Sequence, residues 1–211
     1  SHEEGETTVY EGPVLLSAGV VLCVNDRFVL FERDADAPVD PLRWTSPAGR
    51  CDTTPRRTAL KELYEELLVI ADGRPALIVP PEGDAHEDVY DETLRRNGIH
   101  SPPEDWVRLR ADVPEQFRHL YARVTTAYGE DRYVDEFWPF LDEASSTLEL
   151  RKVYRIEPGE EVGSLQFEDG EYGRKTEVVT EGELVAMDRD DLVATNRAFR
   201  DIVLKDGTKP R

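Results

Sequence analysis

The chain has 211 residues, 39% of them hydrophobic and 34% charged, and its 45 Asp and Glu against 26 Lys and Arg leave a net charge of −19. That length and apolar content suit one domain with a substantial core, or a compact domain carrying a large insertion. An acidic field of this size repels polyphosphate backbones and anionic lipid heads, which argues against general nucleic-acid or membrane-surface binding. No apolar run approaches the roughly 20 residues of a membrane-spanning helix.

In chain order, residues 3–12 are polar and read as loosely held. Val14 to Glu32 reads as two strands around Asn25-Asp26, a hairpin turn signal between β-rich runs. A loop rich in Asp and Pro leads to Trp44-Thr45-Ser46-Pro47-Ala48-Gly49. The clearest helix starts at Thr54, a good N-cap, with Pro55 at the first helical position, and its pattern extends to about Val69. Ala59, Leu60, Leu63 and Leu67 recur at helical spacing and give it a face to bury. Ala76 to Val79 reads as a short strand stopped by Pro80-Pro81.

From about residue 83 to 128 the pattern predicts a mostly helical insertion, with helices over 84–97 and 115–124 and proline punctuation between them. Strands are expected again at 148–156, 163–167 and 176–179, then a closing helix over 188–204 and a frayed tail over 206–211. A single domain over 8–205 is the simplest account. Two cysteines, Cys23 and Cys51, make neither a disulfide framework nor a metal cage, and Cys23 reads as a small buried hydrophobe. That cysteine usage gives cytoplasmic as the expected residence, and no signal-peptide pattern is read at the start, with Ser1-His2 set aside as a tag remnant. Lysine is scarce beside arginine; adaptation to strong salt and a GC-rich genome each account for that, and the acidity bears on solubility rather than chemistry.

Chemistry concentrates in Lys61-Glu62-Leu63-Tyr64-Glu65-Glu66-Leu67. Helical geometry relates Glu62, Glu65 and Glu66 by three and four residues, so their carboxylates share one face. Clustered carboxylates repel one another unless a cation joins them, and Mg²⁺ suits, since it takes oxygen ligands from a few carboxylates, waters and substrate phosphates. A solvated acidic helix face is the bland alternative in so acidic a chain.

Trp44-x-x-Pro47-Ala48-Gly49, a short loop, Thr54-Pro55 and then Ala59-Leu60-Lys61-Glu62-Leu63-x-Glu65-Glu66 resemble the signature of the Nudix hydrolase family. Glu62, Leu63, Glu65 and Glu66 match that signature, Lys61 stands where Arg is usual, and Val69 closes the pattern. The upstream Glu position falls on Thr53 with Asp52 beside it, the late Gly position is Leu68, and Gly49 matches the loop glycine if the loop is two residues shorter. The resemblance covers residues 12–80 well and 163–204 loosely. It implies an α/β fold (an α+β sandwich), a mixed sheet flanked by helices, here with the helical insertion. It also implies that Glu62, Glu65 and Glu66 hold Mg²⁺ or Mn²⁺, with Glu65 and Glu66 catalytic and Gly49 and Lys61 meeting the substrate.

The function so implied is metal-dependent hydrolysis of a phosphoanhydride bond in a nucleoside diphosphate linked to another group, a small-molecule nucleotide substrate. Homodimers are common in the family it resembles. Glu168, following an expected late strand, is a candidate further ligand or general base. The rival reading keeps the fold as a non-catalytic ligand-binding or protein-interaction module, because the loop half of the motif is degraded. His86, His100 and His119 lack metal-ligand spacing, and Phe137-Trp138-Pro139-Phe140 reads as core packing, with base stacking as the alternative.

Overall fold

The computed structural model describes residues 6–38, 41–81, 89, 106–170, 174–188 and 192. Strand β1 (Glu6–Val24) turns through Asn25-Asp26 into β2 (Arg27–Glu32). Asn25 and Asp26 both have positive φ, 46° and 64°, the arrangement that tight hairpin turns favour. Short strands β3 (Trp44–Thr45) and β4 (Ala48–Arg50) precede helix α1 (Pro55–Glu66), and β5 (Leu67–Ala71) and β6 (Arg74–Val79) follow it. Next come β7 (Val107–Asp112), β8 (Leu120–Thr126), β9 (Asp131–Asp135), β10 (Trp138–Asp142) and β11 (Thr147–Ile156). Strands β12 (Leu165–Asp169) and β13 (Thr176–Thr180) and helix α2 (Glu181–Ala186) complete the described elements.

The strands form a mixed sheet in the order β12-β5-β6-β7-β11-β1-β2-β13, with β8, β10, β3 and β4 branching from it and β9 paired to β8. Strand β1 is shared. Its first part, Glu6 to Tyr10, lies parallel to β8, and Leu15 to Val24 lies parallel to β11. The register shifts between Tyr10 and Val14, and Gly12 permits the passage: a Cβ there would lie 2.9 Å from the Thr125 carbonyl carbon. Residues 6–10, expected to be loose, are therefore sheet.

Beyond that bend β1 becomes core. Ala18 and every residue from Val20 to Val24 are buried, as are Leu148, Leu150 and Val153 of β11 beside them. Helix α1 packs across β1, β4, β5 and β11 through Ala59, Leu60 and Leu63, which are all but inaccessible. Burial of each leucine contributes about 2 kcal/mol, so this helix is anchored on its apolar face. At its far side Tyr64 donates from its hydroxyl to the Ile78 carbonyl of β6 at 2.9 Å.

The helical insertion expected over 83–128 is corrected in its second half. Val107–Asp112 is a sheet strand that joins β6 to β11, and Leu120–Thr126 pairs β1 and β9. The expected helix over 115–124 is one 3₁₀ turn at Glu115–Phe117. The cause is a period of two: Leu109 and Ala111 face inward with Arg108 and Arg110 outward, and Ala122 and Val124 repeat the alternation. The helix expected over 84–97 lies outside the described residues except for Val89, which is helical and buried. The closing helix expected over 188–204 lies outside them too, apart from Asp188 and Leu192. Phe137 and Trp138 are buried, and Trp138 and Phe140 stack at 6.3 Å, so that aromatic run is core and sheet.

Candidate active site

Helix α1 starts as its sequence demands. Thr54 is extended and its hydroxyl accepts from the Arg57 amide at 3.3 Å, while Pro55 occupies the first turn. It ends sooner than the apolar spacing suggested. Leu67 is already extended (φ −118°, ψ 119°), and the chain passes straight into β5, whose Val69 and Ile70 favour a strand. No left-handed residue is needed at the exit, which matches the presence of Leu68, exposed at 40%, where the motif has glycine.

This rigid helix sets its carboxylates beside β4. Glu66, 8% exposed, accepts from the Ala48 amide through Oε2 at 2.9 Å. Glu62 lies against the next residue of that strand: a Cβ on Gly49 would fall 2.5 Å from Glu62 Cδ. Gly49 is thus required by the carboxylate that fills its missing side chain. Burial, and then the nearby charge of Glu62, push the Glu66 carboxyl up to about 7 against the opposing pull of Arg174 and the Ala48 amide. Glu65 precedes Glu66, half-buried on the same helix. Lys61 is half-buried on α1.

A cation from late in the chain enters this site. Arg174 donates through Nη2 to Glu66 Oε1 at 3.2 Å and through Nε to Asp169 Oδ2, and its own amide donates to Asp169 Oδ2 at 3.1 Å. The Asp169 side chain is fully buried and that of Arg174 is 8% exposed, with the guanidinium 5.1 Å from the centre of the Phe31 ring. Burial opposes the arginine's charge, but Asp169 and Glu66 outweigh it and hold the guanidinium firmly protonated. The Gly170 amide donates to the Glu66 carbonyl at 3.0 Å, tying the end of β12 to the end of α1.

Glu168 was the late carboxylate that the sequence put forward. Glu168 is exposed, and strand alternation turns its neighbour Asp169 inward toward Arg174 and Glu66. Neither Asp169 nor Arg174 carried a local signal; only the pairing of β12 with β5 brings them to the helix end. At Thr53, where the motif has Glu, the hydroxyl is 3.5 Å from that of Thr58 on α1. His119 sits on the surface, 3.4 Å from Glu115. Cys51 is half-buried, and burial raises its thiol to about 11, so it is no nucleophile at neutral pH.

Among the described residues no three His, Cys, Asp or Glu side chains close on a common metal position. Glu62, seated on Gly49, and Glu66, held at Ala48, nevertheless offer hard oxygens close enough for the charge of one to raise the carboxyl of the other. That donor set fits Mg²⁺ or Mn²⁺, which take a few carboxylates and complete their shell with waters and phosphate oxygens. Beside the loop that leads into α1 lies a cavity of about 380 Å³, lined by Leu16, Arg50, Asp52, Thr53, Tyr128 and Arg132 among others.

No family model matches the chain. No curated protein matches it either. Among solved structures, a Nudix hydrolase from Nitrosomonas europaea aligns with 95% of this chain and 77% of its own, at 13% identity and a TM-score of 0.44. A bifunctional NMN adenylyltransferase/ADP-ribose pyrophosphatase from Francisella tularensis, complexed with AMP and a Mn ion, aligns with 92% of this chain at 14% identity and a TM-score of 0.48. This chain covers 42% of that protein's length. The Nudix domain of Shewanella oneidensis NrtR, complexed with ADP-ribose, aligns with 92% of this chain and 88% of its own, at 11% identity and a TM-score of 0.44.

Proposed function

We propose that this chain is a Nudix-type hydrolase that cleaves a phosphoanhydride bond in a nucleoside diphosphate linked to another group, with Mg²⁺ or Mn²⁺. The observation that carries the reading is the juxtaposition of Glu62 and Glu66, in the last turns of a motif-bearing helix, with Gly49 and Ala48 of β4. Glu62 and Glu66 hold the cation, and Glu65 stands beside them as a further ligand or proton acceptor. When bound, the divalent ion neutralises the diphosphate and acidifies the attacking water.

The chain's own contribution is mainly order. The Ala48 amide fixes one oxygen of Glu66, and the apolar face of α1 holds the carboxylates still against the sheet. Without a cation, burial and the charge of Glu62 hold the Glu66 carboxyl at about 7, and a cation held there would favour its ionised form. Lys61 and the exposed Arg50 supply positive charge for the diphosphate in an otherwise anionic field. The cavity beside the loop takes the organic group, with the ring of Tyr128 at its mouth. Residues 8–205 act as one domain in this reading.

A second reading, a non-catalytic binding module, draws on the guanidinium of Arg174 at Glu66 and on the absence of a three-residue metal group among the described residues. One experiment separates them: a screen of nucleotide anhydrides with and without Mg²⁺, in low and high salt, against a Glu62→Gln/Glu66→Gln control. Magnesium-dependent release of nucleoside monophosphate or phosphate, absent from the control, supports the hydrolase. No turnover above the control in either salt leaves the binding module.

A further inference from the structure

We propose that Arg174 is the positioning residue of Glu66, and that Asp169, Arg174 and Glu66 form the tie that holds the carboxylate end of α1 in this chain. The inference rests on the hydrolase reading for its purpose, though not for its geometry. The segment ahead of α1 offers only weak ties to the helix: Thr53 reaches Thr58 at 3.5 Å, a neutral contact at the limit of hydrogen bonding, and Asp52 is exposed. Three contacts hold the helix end, two from the chain at and after the end of β12 and one from β4.

The first is the forked guanidinium, which meets Asp169 through Nε and Glu66 Oε1 through Nη2. Because a guanidinium is planar, fixing one edge on a buried carboxylate fixes where its other nitrogen points. The second is the Ala48 amide on the remaining oxygen, Oε2. With one donor on each oxygen, the Glu66 carboxylate has a single orientation, and each oxygen keeps a lone pair for a cation shared with Glu62. The third is the backbone bond from Gly170 to the Glu66 carbonyl, which prevents β12 and α1 from sliding apart. The Phe31 ring beneath the guanidinium completes its seat. Removal of one member of such a network leaves a buried partner without its counter-charge, so the arrangement acts as a unit.

A positioning arginine and a competing arginine predict opposite signs. Were Arg174 a stand-in for the metal, its removal would free Glu66 and tighten cation binding. As a positioning residue its removal lets Glu66 turn, and cation binding weakens. The test uses the full chain in four forms: wild type, Arg174→Gln, Arg174→Lys and Asp169→Asn, with Lys175→Gln as a surface control. In metal-free protein, amide exchange and chemical shift at Ala48 report its bond to Glu66. Mn²⁺ titration followed by electron paramagnetic resonance reports affinity.

Arg174→Gln and Asp169→Asn should each speed Ala48 exchange about tenfold and weaken Mn²⁺ binding several-fold. Arg174→Lys should restore part of both, and the control should change neither. An Ala48 amide that is unchanged in Arg174→Gln, while Leu148 and Val153 stay protected, overturns the proposal; so does tighter Mn²⁺ binding. If Arg174→Gln does not fold, the Asp169→Asn and Arg174→Lys pair is read in the same way. Should the Ala48 amide respond as stated while wild type hydrolyses nothing in the anhydride screen, it is the proposed function that fails and not the tie.

Discussion

Gly49 and Glu62 occupy one volume: the side chain that the glycine lacks is replaced by the carboxylate of the helix, with Glu62 Cδ 2.5 Å from where a Cβ would stand. Substitution by alanine therefore acts on the site rather than on the fold. Glu62 is the flexible end of a half-buried side chain and can swing away, so Gly49→Ala should cost only about 1 kcal/mol of stability. Mn²⁺ affinity and any Mg²⁺-dependent turnover should fall at least tenfold. Denaturant melts and a metal titration on the same preparation check both halves.

A second prediction concerns pH. The Glu66 carboxyl stands at about 7 in the fold against an ordinary 4.5. A raised acid pKa favours the folded state most below the ordinary value, and the advantage is lost as pH climbs through about 7. Metal-free wild type should therefore lose up to about 3 kcal/mol relative to Glu66→Gln between pH 4.5 and 8, by the conversion of pKa to free energy. Urea unfolding of both proteins at several pH values measures it, and added Mg²⁺ should flatten the difference by favouring the ionised carboxylate.

Lys152 offers a test away from the site. It is wholly buried in β11, with Nζ 3.4 Å from Glu136 and 4.9 Å from the centre of the Phe137 ring. Glu136 also has Arg56 at 3.7 Å, so Lys152→Met does not leave it without a cation. The expected cost is about 1–3 kcal/mol, below that of breaking an isolated buried pair. Equilibrium denaturation shows it.

Tyr128 is 89% exposed in the turn between β8 and β9 and borders the cavity beside the loop. Its removal touches no packing, so Tyr128→Ala should leave stability within about 0.5 kcal/mol. If the cavity takes the organic group of the substrate, KM should rise several-fold with kcat little changed. Steady-state kinetics on any compound found in the anhydride screen decides it.

Local signals were the legible ones. Thr54, Pro55 and the leucines of α1 state a helix through capping and period, and the Asn25-Asp26 turn states a hairpin. The carboxylates of the site were legible because they lie within one helix turn or so of each other. Arg174 was not, because a residue 108 positions from Glu66 meets it only through the pairing of β12 with β5. Strands β7 and β8 were legible in principle, since Leu109-Arg110-Ala111 and Ala122-Arg123-Val124 alternate plainly. Proline punctuation around them suggested an excursion from the sheet, and that outweighed the alternation. In strand-rich chains the period of two is the better guide.

The shared strand β1 has a consequence for how the chain reaches this fold. On one edge its partners are near: Cys23 meets Phe28, and Ala18 meets Gly49. Leu15 to Val24 wait on the other edge for Thr147 to Ile156, while Glu6 to Tyr10 wait for Leu120 to Val124. A ribosome synthesising this chain releases the apolar strand β1 more than a hundred residues ahead of its central partner. At about 5–20 residues per second, that leaves several seconds in which a hydrophobic edge is open to foreign chains. Parallel pairing at such separation is also slow to form, since the loop must close before the contacts are gained. The abundant carboxylates outside the core then have a duty during birth, as mutual repulsion between nascent chains keeps those open edges apart.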